Sequence, residues 1–467
     1  MSTPAEPFRA SPIPQPTSLP LLGNLPQIMA GESPFAVFHA LAERYGPIYA
    51  LDIAGVRRII VSDPDLATEV ADDRRFKKEV PPGLVVARAI VGDGLFTSDS
   101  DDPVWGHAHR ILMPAFRRDA MQRYIPDMMD SIDGLARAWA GRPPGAAIDV
   151  ARDMTRLTLD IISRTGFSAR FNAFDREEPE PFLAAMYAAM SHAMTLGARP
   201  PLVRRLMRRE RMELEAAARV LHLEVDRIIA ARRADPALLE RQRDLLSLML
   251  LAADPETGAR LSDENVRFQV LTFLIAGHDT TASTMSWALR FLISHPDVLA
   301  AARAEADEVL GGEEEIDFKH ALKLRYMVQV LNETLRLAPP APAFARQALA
   351  PTVIGGRYEI PMGDTVVLLL KPLHRNRQIW GEDADAFNPD RFGPTAPAHP
   401  RGAYLPFGTG ERACLGRQFA ITEATLAVAS LIRRFDLVEH ASSKPTIKLG
   451  LTSRLEGLMV QATPRRA

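Results

Sequence analysis

The feature that most constrains the fold is a stretch from Ser262 to Pro296 that has the pattern of one long helix. Ser262 is a favourable N-cap, Asp263 and Glu264 complement the positive end of the helix dipole, and no proline interrupts the stretch before Pro296. A helix of about 32 residues, rising about 1.5 Å per residue, is roughly 48 Å long. Such a helix crosses a whole domain, so the rest of the chain must pack around it.

Composition excludes several classes of protein. Of the 467 residues, 47% are hydrophobic and 24% are charged, as is usual for a folded globular chain. The net charge of −2 provides no overall basic field, so no nucleic-acid partner is expected. The single cysteine excludes an intramolecular disulfide and any zinc site that needs two cysteines. Because the sequence has neither a signal-peptide pattern nor an apolar run near ~18 residues, we expect a cytoplasmic protein without a membrane span.

The remaining pattern predicts a mainly α protein with small β-sheets. Residues 1–32 are rich in proline and are expected to form an extended N-terminal arm. No long hydrophilic linker divides the rest of the chain. Residues 33–467 are therefore expected to form a single domain with a smaller β-rich lobe and a larger α-rich lobe.

Local signals mark the starts of helices and the turns of hairpins. Helices are predicted to begin at Ser33-Pro34, Asp63-Pro64 and Asp102-Pro103, each with a capping residue followed by proline. A first hairpin is predicted around Ala54-Gly55. A second is predicted within residues 352–370, where two glycines separate the run TVI from a β-rich run that ends in TVVLLL.

Cys414, the only cysteine, lies in the sequence PFGTGERACLG. A lone cysteine is usually a small buried hydrophobe, but its flanks favour another role here. Gly408 and Gly410 permit sharp turns before it, and the helical periodicity of the residues after it predicts a position at a helix N-terminus. The helix dipole favours a thiolate there, and a thiolate is a good axial ligand for haem iron.

The same stretch resembles the F-x-x-G-x-R-x-C-x-G signature of the cytochrome P-450 family at Phe407, Gly410, Arg412, Cys414 and Gly416. The resemblance implies the fold of that family, with a long central helix over haem b and Cys414 as the ligand of the iron. Arg412 is then expected to pair with a haem propionate, and Phe407 to pack on the ligand side of the macrocycle.

The centre of the long helix carries the sequence AGHDTT, residues 276–281. The Thr280 hydroxyl can bond a carbonyl one turn back, and we expect a local widening of the helix that admits a small ligand and water. A close helix crossing with solvated polar residues explains the pattern equally well. The segment is similar to the A-G-x-[DE]-T-T segment of the family. That similarity implies Thr280 and Asp279 as the catalytic residues, which steady dioxygen and feed protons, and Gly277 as a haem contact.

Glu333 and Arg336, in LNETLRLAPP, are three residues apart on a predicted helix. Such a pair is commonly a weak surface ion pair. Its apolar surroundings favour burial, and a buried charge needs a partner, for which Arg391 in NPDRF is a candidate. The set resembles the E-x-x-R pair of the family and its completing arginine, whose role is structural.

Further segments, such as GDGLFTS and DMTRLTLD, are most similar to the haem domain of bacterial self-sufficient fatty-acid hydroxylases. This similarity implies that Trp105, His109 and Lys78 contact the haem propionates together with Arg412. It also implies an apolar substrate pocket, although each of its residues is equally consistent with plain core. The predicted pocket residues are Leu84, Ala87, Val91, Phe96, Ala276, Ala341, Ala343 and Leu451.

One departure bears on the substrate. The subfamily holds a fatty-acid carboxylate with an arginine and a tyrosine on the first hairpin, and Val56 and Ile60 stand at those positions. Arg57 or Arg58 would substitute only if the strand turned differently. A less charged hydrophobic substrate is therefore favoured. The basic run RRLMRRER, residues 204–211, is expected to be a solvated helix face.

Together these features predict a haem-thiolate monooxygenase that inserts one oxygen atom of O2 into a C–H bond of a hydrophobic compound, fatty acid-like or a natural-product intermediate. In the subfamily a flavin reductase follows the haem domain, whereas this sequence ends at Ala467. Electrons from NAD(P)H are therefore expected through a separate ferredoxin or flavodoxin-type partner and its reductase, unless the chain is a piece of a longer protein. The alternatives are a peroxide-driven peroxygenase, which the Asp279-Thr280 pair disfavours, and a haem sensor or carrier without turnover.

Overall fold

A computed structural model describes residues 10–31, 33–170, 174, 181–241, 244–312 and 315–465. Helices dominate this part of the chain. They are α1 (Leu25–Met29), α2 (Pro34–Tyr45), α3 (Pro64–Val70), α4 (Pro82–Val91), α5 (Pro103–Leu112), α6 (Arg118–Ala140), α7 (Val150–Phe167), α8 (Pro181–Gly197), α9 (Pro201–Leu206), α10 (Arg208–Arg233), α11 (Pro236–Arg241), α12 (Leu245–Leu251), α13 (Asp263–Ser294), α14 (Pro296–Leu310), α15 (Phe318–Lys323), α16 (Arg325–Leu337), α17 (Leu370–Leu373), α18 (Arg377–Trp380) and α19 (Arg417–Arg434).

The strands are short and form four small sheets. They are β1 (Ile48–Ile53), β2 (Val56–Val61), β3 (Phe76–Glu79), β4 (Ile148–Asp149), β5 (Ala343–Ala348), β6 (Thr352–Ile354), β7 (Tyr358–Ile360), β8 (Thr365–Leu369), β9 (Phe435–Glu439), β10 (Thr446–Leu449), β11 (Ser453–Glu456) and β12 (Met459–Pro464). The sheet orders are β1-β2-β8-β5-β3, β4-β12-β9, β6-β7 and β10-β11. The predicted fold class, mainly α with small sheets, agrees with this arrangement.

The chain divides into two compact units. The first contains Met1–Glu79, Arg336–Ala386 and Pro397–Cys414, and the second contains Val80–Leu335, Phe387–Ala396 and Leu415–Ala467. Residues 1–9 of the predicted arm lie outside the described residues. The carbonyl of Pro14 accepts a hydrogen bond from the backbone N–H of Ala50. The predicted domain boundary at residue 33 stays a prediction.

The first unit is built on the five-stranded sheet. Ile59 and Val61 pack in a buried cluster with residues of α3, whereas Ile60, between them, packs in a second cluster with residues of α2. Both faces of β2 are therefore covered, which explains why its sequence is an unbroken apolar run at this end. The predicted first hairpin is confirmed, with Ile53 opposite Val56.

The predicted second hairpin is confirmed at its turn, but only the start of the β-rich run takes part in it. The TVI run pairs with Tyr358–Ile360 across Gly355 and Gly356, which both have positive φ angles. The TVVLL run is β8, which lies between β2 and β5 in the five-stranded sheet. The glycine pair signals a turn, but β8 pairs with β5, on the other side of that turn, and with β2, about 300 residues earlier, and neither pairing leaves a local signal.

The second unit surrounds α13, the predicted long helix. It runs for 32 residues, and the Ser262 hydroxyl caps it by accepting a hydrogen bond from the backbone N–H of Asn265. It packs against α4, α7, α10, α12 and α19. The predicted caps Ser33, Asp63 and Asp102 are confirmed in the same way, since each side chain accepts a hydrogen bond from the first turn. Among the described helices, none is both long and apolar enough to cross a bilayer.

Candidate active site

The loop that ends at Cys414 is held by its own backbone. The N–H of Cys414 donates to the carbonyl of Phe407 at 2.8 Å, which closes the intervening residues into a tight loop. Gly408 and Gly410 have φ angles of 70° and 69°, a conformation that costs little only for glycine. The backbone N–H of Leu405 donates to His374 Nε2 at 2.9 Å and fixes the start of the loop. The cysteine side chain itself is exposed.

The predicted position of Cys414 in a helix N-terminus needs a correction. Helix α19 begins at Arg417 with Gly416 as its N-cap, so the cysteine lies two residues before the cap. A short 3₁₀ turn over Gly410–Arg412 precedes it. Because the field of a helix end falls off within about one turn, the dipole acts on this thiol more weakly than the sequence suggested.

Asp73 supports the loop from outside and was not predicted. One carboxylate oxygen accepts a hydrogen bond from the N–H of Glu411 at 2.9 Å, and the other accepts one from Arg346. A Cβ added to Gly410 would overlap this carboxylate. The loop therefore needs glycine at position 410 for two reasons, its backbone conformation and the closeness of Asp73.

Arg346 is a second feature that sequence reasoning missed. It is 2% exposed, and it donates to Asp73 and to the carbonyl of Phe76. Its Nε atom has no hydrogen-bond partner among the described residues. The register of β3 and β5 places it opposite Lys78. A buried guanidinium with an open N–H is suited to an anionic group such as a haem propionate, so the donor set of this unit fits haem. A single arginine in a strand carries no such signal in the sequence.

Two predicted haem contacts lie together on α5 in the other unit. Trp105 and His109 are one turn apart, and their rings stack at 4.9 Å with an interplanar angle of 23°. Both side chains are partly exposed. The next residue, Arg110, forms a bidentate ion pair with Asp254, with nitrogen–oxygen distances of 2.6 and 2.8 Å. This pair anchors α5 to the loop before α13.

The centre of α13 differs from the sequence expectation in one respect. The Thr280 hydroxyl donates to the carbonyl of Ala276 at 3.0 Å, as predicted. The expected widening is wrong, because the α-helical pattern continues without a break from Asp263 to Ser294. A Cβ on Gly277 would lie 3.1 Å from the side chain of Ile162 on α7, so the alternative of a close helix crossing is confirmed at this residue. Ala276, one position earlier, is exposed.

Asp279 lies at the centre of a polar network. Its carboxylate accepts hydrogen bonds from Thr452, from Arg454 at 3.3 Å and from the hydroxyl of Tyr187 at 3.4 Å. The Arg454 guanidinium lies 4.7 Å from the centre of the Tyr187 ring and pairs with Glu456 at 3.2 Å. Burial and the charge of Asp279 raise the pKa of Tyr187 to about 12. The phenol therefore stays protonated and donates to the carboxylate.

These three partners of Asp279 were not predicted from the sequence. They stand 92, 173 and 175 residues away in the chain. The side chain of Asp279 is 13% exposed, and that of Arg454 is 23% exposed. The network thus holds a partly exposed carboxylate beside an arginine that reaches solvent, and the group in it that can take up and release a proton is the Asp279 carboxylate.

Both charged residues of the predicted E-x-x-R pair are buried and hydrogen-bonded. Glu333 is fully buried, accepts a hydrogen bond from the N–H of Asn388 at 2.9 Å and lies 3.6 Å from Arg391. Arg336 is also fully buried. It donates to the carbonyls of His374, Ala384 and Ala386. Both charges are therefore paired or hydrogen-bonded inside the protein, as buried charges must be.

The predicted pocket residues differ in exposure. Leu84, Ala87 and Val91 are buried along α4, which packs against α8 and α13. Their burial does not distinguish a pocket wall from plain core, because both would bury these side chains. In the same unit Phe96 is 37% exposed, and Leu451 is partly exposed. Ala341 and Ala343 belong to the other unit and are partly exposed there. Their role as a pocket stays a prediction.

The first hairpin presents no free cation. Val56 is 48% exposed at its turn, and Ile60 is buried. Arg57 pairs with Asp364 at 3.2 Å. Arg58 donates to Thr365 at 2.7 Å and lies 3.9 Å from Glu79. Both arginines are therefore engaged within the first unit.

Comparison with known proteins adds independent information. A family model described as Cytochrome P450 matches residues 13–463. The chain is 42% identical over 458 residues to bifunctional cytochrome P450/NADPH–P450 reductase 2 of Bacillus subtilis (strain 168). The matched residues make up 98% of this chain and 43% of that protein. The chain is 39% identical over 458 residues to a self-sufficient cytochrome P450 monooxygenase of Phanerodontia chrysosporium, with 97% and 43% covered. The chain thus spans less than half the length of these relatives.

Proposed function

The chain belongs to the cytochrome P450 family, and on this premise we propose that it is a haem-thiolate monooxygenase. The reaction is R–H + O2 + 2 e⁻ + 2 H⁺ → R–OH + H2O. The observation that carries the proposal is the closed loop of Phe407 to Cys414, which presents an exposed thiol after two glycines in the left-handed conformation. The stretch from Phe407 to Gly416 has all five fixed positions of the family signature.

Haem b is held by side chains of this chain. Cys414 supplies the thiolate, Arg412 and Lys78 supply positive charge for the propionates, and Phe407 packs against the macrocycle. The open N–H of buried Arg346 supports a further propionate contact. Trp105, His109 and Gly277 stay haem contacts that the sequence resemblance predicts. When bound, haem activates dioxygen, and its thiolate ligand donates electron density that favours O–O cleavage.

Protons reach the reaction through Asp279 and Thr280. The Asp279 carboxylate receives a proton from the solvent side, where Arg454 and Tyr187 hold it. Thr280 orients a water at its hydroxyl, which is anchored on the Ala276 carbonyl. A side chain fixed in this way contributes typically about 10²-fold or more to a proton transfer.

The substrate is a hydrophobic compound, and the first hairpin does not bind a substrate carboxylate. Ion pairs and hydrogen bonds occupy Arg57 and Arg58, and Val56 offers no charge. A spin-state titration with a fatty acid and with its methyl ester tests this point. We expect the ester to bind more tightly, whereas tighter binding of the acid would contradict the assignment. The variant Val56→Arg is a useful control, because it should raise the affinity for the acid alone.

Electrons come from NAD(P)H through a reductase. Both relatives named above are reductase fusions or self-sufficient enzymes by name. For this chain we propose a ferredoxin or flavodoxin-type donor with its reductase. Product formation with each donor system, and with none, identifies the one that supports turnover.

The monooxygenase assignment is tested with isotopically labelled dioxygen. We expect one labelled oxygen atom in the product, formed only with NAD(P)H and a redox partner. Product that forms at the same rate from hydrogen peroxide, without label from dioxygen, would contradict the assignment and favour a peroxygenase.

A further inference from the structure

One carboxylate connects two parts of the candidate site, and the proposed reaction gives it no role. Asp73 lies in the turn between α3 and β3. One of its oxygens accepts a hydrogen bond from the backbone N–H of Glu411 at 2.9 Å, in the loop that ends at Cys414. The other oxygen accepts one from the guanidinium of Arg346 at 2.5 Å. All of these residues belong to the first unit.

Arg346 is the more deeply buried member of this ion pair. Its side chain is 3% exposed, whereas that of Asp73 is 32% exposed. It also donates to the carbonyl of Phe76 at 2.6 Å, and Asp73 is its only ion-pair partner among the described residues. A buried guanidinium needs a negative partner, because an unpaired charge in the interior is costly. Asp73 therefore supplies the charge that allows Arg346 to be buried.

The guanidinium of Arg346 still has one donor to offer. Its Nε atom has no hydrogen-bond partner among the described residues, and under the proposed function this N–H serves a haem propionate. Asp73 and the propionate then share a single positive charge. Because the Asp73 carboxylate offsets much of that charge, Arg346 stabilises negative charge on the haem less than an unpaired guanidinium would.

Asp73 also lies against the backbone of the loop before Cys414. A Cβ added to Gly410 would lie 2.1 Å from a carboxylate oxygen of Asp73, so the carboxylate and the loop are in direct contact. The N–H that Asp73 accepts, that of Glu411, stands three residues before Cys414. The carboxylate therefore acts on the candidate haem site from two directions, through Arg346 and through the loop that carries the thiolate.

We propose that Asp73 is a positioning residue that lowers the reduction potential of the haem, an inference that rests on the proposed function. Reduction of ferric haem adds one electron, and a fixed negative charge nearby opposes that addition. The potential also depends on the hydrogen bonds and the burial of the groups around the haem. Asp73 supplies a negative charge and offsets the positive charge of Arg346, and both effects lower the potential.

The neighbouring acid, Asp72, provides a matched control. It forms an ion pair with Arg74 at 2.8 Å, and the side chain of Arg74 is 89% exposed. Among the described residues, Asp72 contacts neither Arg346 nor the loop before Cys414 through a hydrogen bond. Its removal changes the net charge by the same amount, one position away in the sequence. Water and salt screen the charge of such an exposed pair.

A spectroscopic redox titration of the haem-loaded protein tests the proposal. In Asp73→Asn the side chain keeps its size and an oxygen that can accept from Glu411, but it loses its charge. We expect the equilibrium constant for haem reduction to rise about tenfold, which for one electron is a shift of about 59 mV toward positive potential. Asp73→Glu keeps the charge, and Asp72→Asn removes a screened one, so each should change this constant less than about twofold.

Two results of this titration would overturn the proposal. One is a potential of Asp73→Asn equal to that of Asp72→Asn. The other is an equal shift in Asp73→Glu, because geometry and not charge would then set the potential. If Asp73→Asn takes up no haem, Asp73→Ser makes the same loss of charge with a smaller side chain. Failure of both to take up haem would show that the carboxylate assembles the site rather than tunes it, which also contradicts the proposal.

The proposed function is tested separately by the wild type. Its reduced carbonyl complex shows whether haem is bound through a thiolate, whatever the potentials of the variants are. Absence of the thiolate band in the wild type is a failure of the proposed function. A wild type with that band, together with an unshifted Asp73→Asn, is a failure of the inference about Asp73 alone.

Discussion

The loop before Cys414 and the centre of α13 carry the two motifs of the candidate active site, and they are held in place differently. In the loop, the N–H of Cys414 bonds the carbonyl of Phe407, seven residues earlier, and the turns use glycine at positions that need positive φ. In α13, the conformation is an ordinary helix. Its acid, Asp279, is fixed by side chains from α8 and from the region of β11.

The difference shows which part of a site a short motif encodes. The loop motif specifies its own backbone, so its geometry follows from residues 407–416. The helix motif specifies only which groups are present, and their orientation depends on Tyr187, Thr452 and Arg454. Changes in the loop should therefore affect stability and haem retention, whereas changes around Asp279 should affect proton delivery in a folded protein.

The largest effect is expected for Asp279→Asn. An amide cannot accept and release a proton as a carboxylate does, so the rate of product formation should fall about 100-fold. Substrate affinity from the spin-state titration should not change. Asp226→Asn is the matched control, since Asp226 is a carboxylate of the same unit paired with Arg267. An unchanged turnover rate in Asp279→Asn would remove the proposed role of this residue.

Gly410→Ala should destabilise the loop by about 2 kcal/mol, because a strained φ and a steric conflict act together. Chemical denaturation measures the loss, and haem retention should fall with it. Gly356→Ala is the control, because Gly356 has a φ of 62° but open space where its Cβ would lie. If both variants lose the same stability, the contact of Gly410 with Asp73 contributes nothing.

Arg454→Met should lower the coupling of electron consumption to product formation about tenfold, the size of one lost charge-assisted hydrogen bond. The variant leaves Asp279 with only hydroxyl donors, which changes the pH profile of turnover. Arg454→Lys restores the charge and should recover most of the coupling. A profile that is the same in all three proteins would argue against a link between Arg454 and proton delivery.

A last prediction concerns the pH dependence of stability and involves Glu423 on α19. Burial raises its pKa well above the ordinary value, and neither carboxylate oxygen has a hydrogen-bond partner among the described residues. The folded protein favours the protonated form of Glu423, so the free energy of unfolding is highest below the ordinary pKa of a glutamate. It falls as pH rises toward the pKa of the folded state, by up to about 1.4 kcal/mol per pH unit. Glu423→Gln should remove this dependence. Denaturation at several pH values checks it, and parallel curves for both proteins would contradict it.

Sequence signals predicted what neighbouring residues determine. The caps at Ser33, Asp63 and Ser262 and the hairpin at Ala54-Gly55 are local, and all are confirmed. The pairing of β8 was wrong, because its partner β2 lies about 300 residues earlier.

Long-range side-chain contacts could not be predicted from the sequence either. An arginine in a strand or an aspartate in a loop is usually a surface residue, and its burial becomes visible only after folding. Arg346 and its contact with Asp73 were missed for this reason. The widening of α13 was expected around Thr280, but the helix continues without a break there while the Thr280 hydroxyl bonds the carbonyl of the preceding turn, as predicted.

The most direct measurement is the absorption spectrum of the reduced carbonyl complex, recorded for the wild type and for Cys414→Ser. Serine keeps the shape of the side chain but removes the sulfur that donates to iron. We expect the strongly red-shifted Soret band of thiolate ligation in the wild type and its absence in the variant. A band that persists in Cys414→Ser, or a wild-type protein that takes up no haem, would contradict the assignment of Cys414 as the ligand.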